Sequence, residues 1–430
     1  MHQTINFSVT GDSLAVKRLC TASSQMQEIR NLFASSDVCF TNLETSIHRY
    51  EPEIYPSRFS GGDWVAAPPE VLSDMKWLGF NLFGIPNNHS LDWSHSGLLR
   101  TIENLKRAEV IFSGAGENLA QACAPAYLET AGGRVALIAC NSSFESWHMA
   151  GEQRRDLHGR PGIFGIEFER IRLISREELS VLEGLHKRMM REHDGWIETN
   201  GSRVFRFGTD LYRQGEPGEV TRVCHSSLEL LANSIHEAQR QADVVVVSLH
   251  SHERKGLDPH IPADFQKELA HFSIDQGAHV FIAHGPHVLR GVEIYKDCPV
   301  LHGMGNFFYQ CELLPKAPSE FYSKFAVFKE QACTADVYDY RVNNGGILGE
   351  TNPDYFRSAI ASFSMKHGKL NELTISPISL QFSAHRASKG TPKPAAGQEA
   401  DEILSQIQRL SEAFAVSFTR KKEGMELRLA

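Results

Sequence analysis

The chain has 430 residues, 41% of them hydrophobic and 22% charged, with a formal net charge of −8. That length suits one large domain or two ordinary ones, and the acidic balance without a long basic run excludes a nucleic-acid partner, since phosphate binding takes clustered Lys and Arg. The opening MHQTINFSVTGD lacks the basic and apolar regions of a secretion signal, no apolar run approaches the ~20 residues of a membrane span, and eight cysteines form no C-x-x-C pair, so the chain reads as a cytoplasmic protein with reduced thiols.

In chain order, INFSVTGD reads as a strand that leaves Asp12 at its end. SQMQEIRNLFASS has helical spacing (Met26, Ile29, Leu32, Phe33), and DVCFTNLE is a strand ending near Glu44. PPEVLSDMKWLGF opens on prolines and reads as a helix, and NLFGIPNNH as a strand ending at Asn88 and His89. SGLLRTIENLKRAE is a helix, VIFSGAG a short strand and RVALIAC another strand. This alternation marks an α/β chain. From about Ser142 to Val223 the pattern blurs. SWHMAGEQRRDLHGRPGIFGI is polar and Gly-rich, SREELSVLEGLHKRMMREH is an amphipathic helix with an N-cap at Ser175, and SRVFRFGTDLYRQGE alternates like an edge strand. The region reads as an insertion that covers or borders a site.

Regularity returns with the helix SLELLANSIHEAQRQA, the fully buried strand DVVVVSLH, the helix PADFQKELAHFSIDQG stopped by Gly277, and the strand HVFIAH. VEIYKDCPVLHGMGNFFY and YFRSAIASFSMKHGKLNELTISPISLQFS supply further strands, the latter with a hairpin turn at KHGKL. KGTPKPAAGQ is a linker, EADEILSQIQRLSEAFA a last amphipathic helix and VSFTRKKEGMELRL a tail. The expected division is one catalytic domain over 1–385, with the insertion at about 142–223, and a linker, helix and tail over 386–430 packed on it.

The chemistry gathers where strands end. Five apolar strands stop at Asp12, at Glu44, at Asn88 with His89, at His250, and at the pair His284 and His287 in AHGPHVLRG. Ligands of open α/β sheets bind beyond the carboxyl ends of strands. Each residue taken singly has an ordinary role open to it: Asp12 as a turn residue or N-cap, Glu44 on a solvated face, Asn88 as a turn amide, His250 as a core histidine. Together they are carboxylates, imidazoles and an amide, without Lys or Arg, and no cysteine is placed among them. That set suits a hard or borderline divalent ion, and Mn, Fe, Zn or Ca each fits it. Asp92, three residues after His89 in NNHSLDW, is placed to fix the imidazole as a general acid or base, or else to cap the following helix. His252 and Glu253 read as loop residues beside the site. Pro286 disfavours helix, so the AHGPH loop turns there and lets both histidines converge.

The segments TGDSL, FTNLET, APPEVLSDMKWLGFNLFGIPNNHSLDW, VVVVSLHSHE and AHGPHVLRGVEIYKDCPVLHGMGNFFY, in that order, resemble the CapA/PgsA family, named for poly-γ-glutamate capsule synthesis. GRPGI at Gly159 resembles a stretch in its soluble, longer members. The likeness runs from about Asn6 to Tyr309, and more weakly to the C-terminus. That family is similar to the calcineurin-like metallophosphoesterases, so the resemblance implies their four-layer α/β/β/α sandwich with a metal site at the sheet edge. Residue by residue, it implies Asp12 as the first aspartate, Glu44 as the bridging carboxylate, Asn88 as a ligand and His89 as the general acid. His250 stands as the lone histidine ligand, and His284 and His287 as the terminal pair. Leu14 occupies the position where the superfamily carries a histidine, and two residues rather than one separate the terminal pair. One implied metal position (Glu44, Asn88, His250, His284) is complete; the other (Asp12, Glu44, His287) is a ligand short. The expectation is one firmly bound divalent ion, with a second position underfurnished. His252, Glu253, Arg290, Arg160 and Asn306 stand as substrate contacts or as supports of the ligands.

The function expected is a metal-dependent hydrolase acting on an amide or phosphoester of a peptide-like, polyglutamate-like or other small anionic substrate, with His89 and Asp92 protonating the leaving group. Two other classes stay open. One is a peptide epimerase of ribosomal-peptide maturation, working at a Cα by His/Asp acid–base exchange, as some relatives resemble. The other is a non-catalytic protein of capsule or polymer biosynthesis.

Overall fold

The computed structural model describes residues 4–190, 194–327, 331–344, 351–421 and 423–427. Two sheets face each other. In the larger, the strands Leu82–Gly84, Val38–Leu43 and Ile5–Leu14 run parallel, and Arg357–Lys366 and Lys369–Ser379 continue it antiparallel. Asn306–Tyr309 pairs along the end of Ile5–Leu14, which sets Asp12 opposite both Asn42 and Asn306. The smaller sheet has six strands, with Gly133–Asn141, Val244–His250 and Val280–His284 parallel at its centre.

The alternation of side chains along each strand explains the layering. Phe7, Val9, Val38 and Phe40 of one sheet meet Leu137, Val244, Val246 and Ile282 of the other in a common core. Val245, Val247 and Leu249 point the opposite way, against the helices His225–Gln239 and Asp264–Asp275. DVVVVSLH is therefore apolar on both faces because both are covered. Cys39, Leu43 and Phe83 likewise back onto the helices Ser24–Phe33, Glu70–Leu78 and Ser94–Arg107. The result is the four-layer α/β/β/α sandwich expected, and no described helix is long and apolar enough to cross a membrane. All eight cysteines are free thiols.

Three segments differ from expectation. The strand in NLFGIPNNH stops at Gly84, because Pro86 cannot donate to a ladder, and Asn87–Asp92 form turns instead. The 142–223 region divides in two. Residues 142–166 run beside the ends of the sandwich strands, with Ser142 N donating to His250 O at 3.0 Å. Phe168–Val223 builds a five-stranded sheet of its own, in which the single edge strand foreseen is a pair, Ser202–Phe207 and Asp210–Gln214, folded over Gly208 at φ 62°. The Ser175 cap forms as expected, with Glu178 completing a capping box over the helix Arg176–Met189; residues 191–193 of that helix expectation lie outside the described residues. This sheet docks through Phe168, stacked on Phe265 at 4.1 Å, against the outer helix of the sandwich rather than against the strand ends. Finally, the tail is a hairpin, Phe418–Lys421 with Gly424–Leu427, that pairs with Lys369–Ser379. Phe418 and Met425 are drawn into the inter-sheet core, as are Ile403 and Ile407 of the helix Gly397–Glu412.

Candidate metal centre

The first strand shifts register between Val9 and Asp12, and Gly11 there leaves no room for a side chain: a Cβ would lie 1.8 Å from Gly305 O. The shift presents Asp12 between the two sheets, 1% exposed. Its Oδ1 accepts from Asn42 Nδ2 at 2.8 Å, and its Oδ2 from Gly285 N, on the opposite sheet, at 2.8 Å. The Nδ1 atoms of His284, His250 and His287 lie 3.3, 3.6 and 3.8 Å from its carboxylate. Burial opposes ionisation of Asp12, but His250 and His284 outweigh it and hold the carboxyl well below its usual range.

Glu44 is fully buried, and among the described residues neither carboxylate oxygen receives a hydrogen bond. Oε1 instead faces three imidazoles: His250 Nε2 at 3.7 Å, His89 Nε2 at 3.9 Å and His287 Nε2 at 4.0 Å. Burial, then Asp12 and Asp92, push its pKa well above the ordinary value. Buried carboxylates are otherwise hydrogen-bonded or paired, so a cation between Glu44 and its imidazole neighbours would satisfy it. Asn88 adds a neutral oxygen: its Nδ2 donates to Gly61 O at 3.0 Å, which turns Oδ1 toward His250 Nε2 at 2.9 Å.

Three groups of donor atoms, each mutually within 4.8 Å, are able to hold an ion: Asp12 with His250 and His284, Glu44 with His250 and His252, and Asp12 with Glu44 and His287. The grouping differs from that expected on one point. His284 pairs with His250 along the sheet and so faces Asp12, with Nε2 occupied by Ser248 Oγ at 2.8 Å. The imidazole beside Glu44 and His250 is His252 instead. It is half-buried and lies in the loop just past the strand Val244–His250; Ser143 Oγ takes its backbone N at 2.7 Å, and its Nε2 has no partner among the described residues. Burial, then His250 and His287, hold its pKa well below the ordinary value, leaving a neutral ring with a lone pair to give. The alternation in His250-Ser-His252 was the available signal.

His287 reaches the centre through a left-handed turn, φ 115° at Gly285 and 60° at His287 itself. Asn306 Nδ2 donates to Tyr355 O at 2.9 Å, so Asn306 Oδ1 is the acceptor for His287 Nδ1 at 2.7 Å. That leaves the Nε2 lone pair facing Glu44. Leu14 is buried in an apolar cluster with Val16, Trp64 and Trp93, and supplies no donor where it stands.

His89 stands at the edge of this centre. Its Nδ1 lies 2.6 Å from Asp92 Oδ2 and 3.1 Å from Asp63 O, two acceptors that fix the proton on Nδ1 and aim Nε2 at Glu44. Burial opposes a charge on the ring, but Asp92 and then Asp63 outweigh it and raise its pKa. Asp92 is itself held by Gly61 N and Val65 N, both at 3.0 Å, rather than capping a helix.

Of the remaining candidates, Glu253 and Arg290 brace the loop that carries His252. Glu253 Oε2 accepts from the hydroxyls of Ser142, Ser143 and Ser251 at 2.9, 2.9 and 2.7 Å, which fixes the loop carrying His252. Arg290 is fully buried and donates to Pro259 O, Glu253 O and Gln266 Oε1. Arg160 is exposed and donates to Met149 O at 3.0 Å. A cavity of about 370 Å³ opens beside Asn88 and His252, walled by Phe59, Ser60, Ser143, Phe144, Glu145 and His148.

Comparison with known proteins bears on this arrangement. The family model described as "Bacterial capsule synthesis protein PGA_cap" matches residues 2–310. "Uncharacterized protein y4sH" of Sinorhizobium fredii is 34% identical over 401 residues, covering 91% of this chain and 86% of that protein. "Capsule biosynthesis protein CapA" of Bacillus anthracis is 22% identical over 245 residues, covering 57% of this chain and 44% of that protein. "PGA biosynthesis protein CapA" of Bacillus subtilis is 21% identical over 291 residues, 67% of this chain and 57% of that one. The chain thus spans about half the length of these two capsule proteins. Among solved structures, a 5'-nucleotidase precursor from Thermus thermophilus matches with a TM-score of 0.34 and 10% identity, over 94% of this chain and 58% of that one. The NAD nucleotidase of Haemophilus influenzae gives 0.32 and 10%, over 95% and 56%. Both likenesses are too slight to carry an argument.

Proposed function

The chain belongs to the bacterial capsule synthesis protein PGA_cap family, and from that premise we propose that it is a metal-dependent hydrolase of an amide or phosphoester in a peptide-like substrate. The observation that carries this reading is Glu44, a buried carboxylate without a hydrogen-bond donor, set among His250, His252, His287 and the Asn88 oxygen. Carboxylate, imidazole and amide oxygen together suit a borderline divalent ion. Such an ion, when bound, lowers the pKa of water and polarises a phosphoryl or carbonyl oxygen.

The chain's own groups supply the rest. His89, oriented through Nδ1 by Asp92 and Asp63 O, gives its Nε2 proton to the leaving group as the scissile bond breaks. The cavity beside Asn88 and His252 would hold the substrate. Among the described residues its wall carries Glu145 and neither Lys nor Arg, together with the rings of Phe59 and Phe144. A polyanion gains nothing from such a wall, which favours a peptide-like substrate with an uncharged side chain over a polyglutamate. No contact among the described residues favours exchange at a Cα over hydrolysis.

The test is turnover of aryl phosphates and of peptide amides by purified protein loaded in turn with Mn, Fe, Zn and Ca. Metal-dependent hydrolysis that disappears in Glu44→Ala supports the reading. Protein that binds the ion and turns over neither panel is not this hydrolase, and a non-catalytic part in polymer synthesis then takes its place.

A further inference from the structure

The segment 57–65 supplies Phe59, Ser60 and Gly61 to the cavity wall and also holds the groups around His89. Gly61 N and Val65 N donate to the Asp92 carboxylate, Gly61 O accepts from Asn88, and Asp63 O faces His89 Nδ1. The Asp63 carboxylate points the other way and is 6% exposed. Both of its oxygens are taken by one helix, Thr334–Asn343, far along the chain: Tyr338 Oη donates to Oδ2 at 2.9 Å and Arg341 Nη1 to Oδ1 at 2.7 Å. Arg341 is itself 6% exposed, its guanidinium 4.7 Å from the centre of the Phe325 ring. A buried charge pair of this kind is costly to break on one side, because the remaining charge must be rehydrated. Here rehydrating Asp63 means moving the loop that carries its carbonyl.

We propose that Arg341 is a positioning residue for His89. From the helix Thr334–Asn343 it fixes Asp63, and so the carbonyl that joins Asp92 in holding the Nδ1 proton and aiming Nε2 at the leaving group. This rests on the reading of His89 as proton donor. A displacement of about 1 Å in a catalytic group costs on the order of 100-fold in rate. The loss must fall on substrates that need a proton. A leaving group stable as an anion departs without one, whereas a basic one does not.

The experiment uses the full chain, metal-loaded, on a series of aryl phosphates or anilides graded in leaving-group basicity, whichever series the wild-type protein hydrolyses. In Arg341→Met, kcat should fall roughly 100-fold for the most basic leaving group and little for the least basic, with metal content unchanged. Arg341→Lys should restore part of the loss, and Tyr338→Phe should show the same trend more weakly; these two also serve if Arg341→Met does not fold. An equal loss along the whole series, or a loss of bound metal, overturns the proposal and makes the pair merely structural. A wild-type protein inactive on both series overturns instead the hydrolase reading beneath it.

Discussion

Glu44 Oε1 and His250 Nε2 lie 3.7 Å apart, contributed by opposite sheets, and the Glu44 carboxylate has no hydrogen-bond donor among the described residues. Neither residue is arranged to satisfy the other directly. An ion between them would be, and Asn88, His252 and His287 stand around the same point.

That arrangement makes Glu44 costly without a cation. A carboxyl whose pKa is raised on folding loses stability above its unfolded value, and this one is raised principally by burial. Glu44→Gln should therefore stabilise chelator-treated protein by ~1–3 kcal/mol, the cost of an unsatisfied buried group. The same variant should lose the stabilisation that added metal gives the wild type, ~2.7 kcal/mol at a hundredfold excess over Kd. Thermal unfolding with and without chelator checks both signs; a variant still stabilised by metal would remove Glu44 from the centre.

His252 and its supports are a second test. His252→Ala should lower the bound metal measured by elemental analysis. Glu253→Gln, which disturbs three serine hydroxyls rather than a donor, should weaken affinity by ~10–100-fold in a competition titration with a chelator. Unchanged metal content in His252→Ala would return that residue to the loop role expected from sequence.

The His89–Asp92 pair concerns rate rather than binding. Asp92→Asn keeps the side-chain shape but removes the charge that holds the Nδ1 proton at 2.6 Å. Turnover should fall by ~10²–10⁴-fold while metal content stays at the wild-type level. Equal turnover in variant and wild type would exclude His89 as the proton donor.

A pH effect on stability is expected far from the centre. Glu293 pairs with His302 at 2.9 Å and His271 at 2.7 Å; burial opposes its ionisation, and the two imidazoles outweigh it, so its pKa is lowered. A carboxyl depressed on folding adds stability above its unfolded value of 4.5 and loses it as pH falls through the folded value. His302 is held below 6.5, by burial first and against Glu293, so its contribution too is present above 6.5 and declines as the ring is forced to charge. Stability should fall on acidification in two stages, below 6.5 and below 4.5. Glu293→Gln should flatten the second stage in urea unfolding followed from pH 7 to about pH 2; an unaltered slope there would show that the pair contributes nothing.

Much of the architecture was legible because one physical signal, apolar runs covered on both faces, marks parallel strands directly. The ends of those runs then pointed to Asp12, Glu44, Asn88, His250, His284 and His287, which the structure brings into one volume. His252 was less legible because it lies past the strand, where Ser251 N bonds His284 O and the chain leaves the ladder. Asp63, Arg341 and Tyr338 were not legible at all: a bond between residues 278 positions apart has no local pattern. The Phe168–Val223 sheet was obscured by short, half-exposed strands rich in arginine, and Arg290 by its inward course, which its loop setting did not announce.

The centre straddles the seam between the sheets: Asp12, Glu44 and Asn88 come from one, and His250, His252, His284 and His287 from the other. During synthesis the acidic half therefore emerges long before the imidazole half. Capture of an ion at this centre would therefore be a late event, awaiting residues beyond 280, and its arrival would report that the two halves have closed on each other.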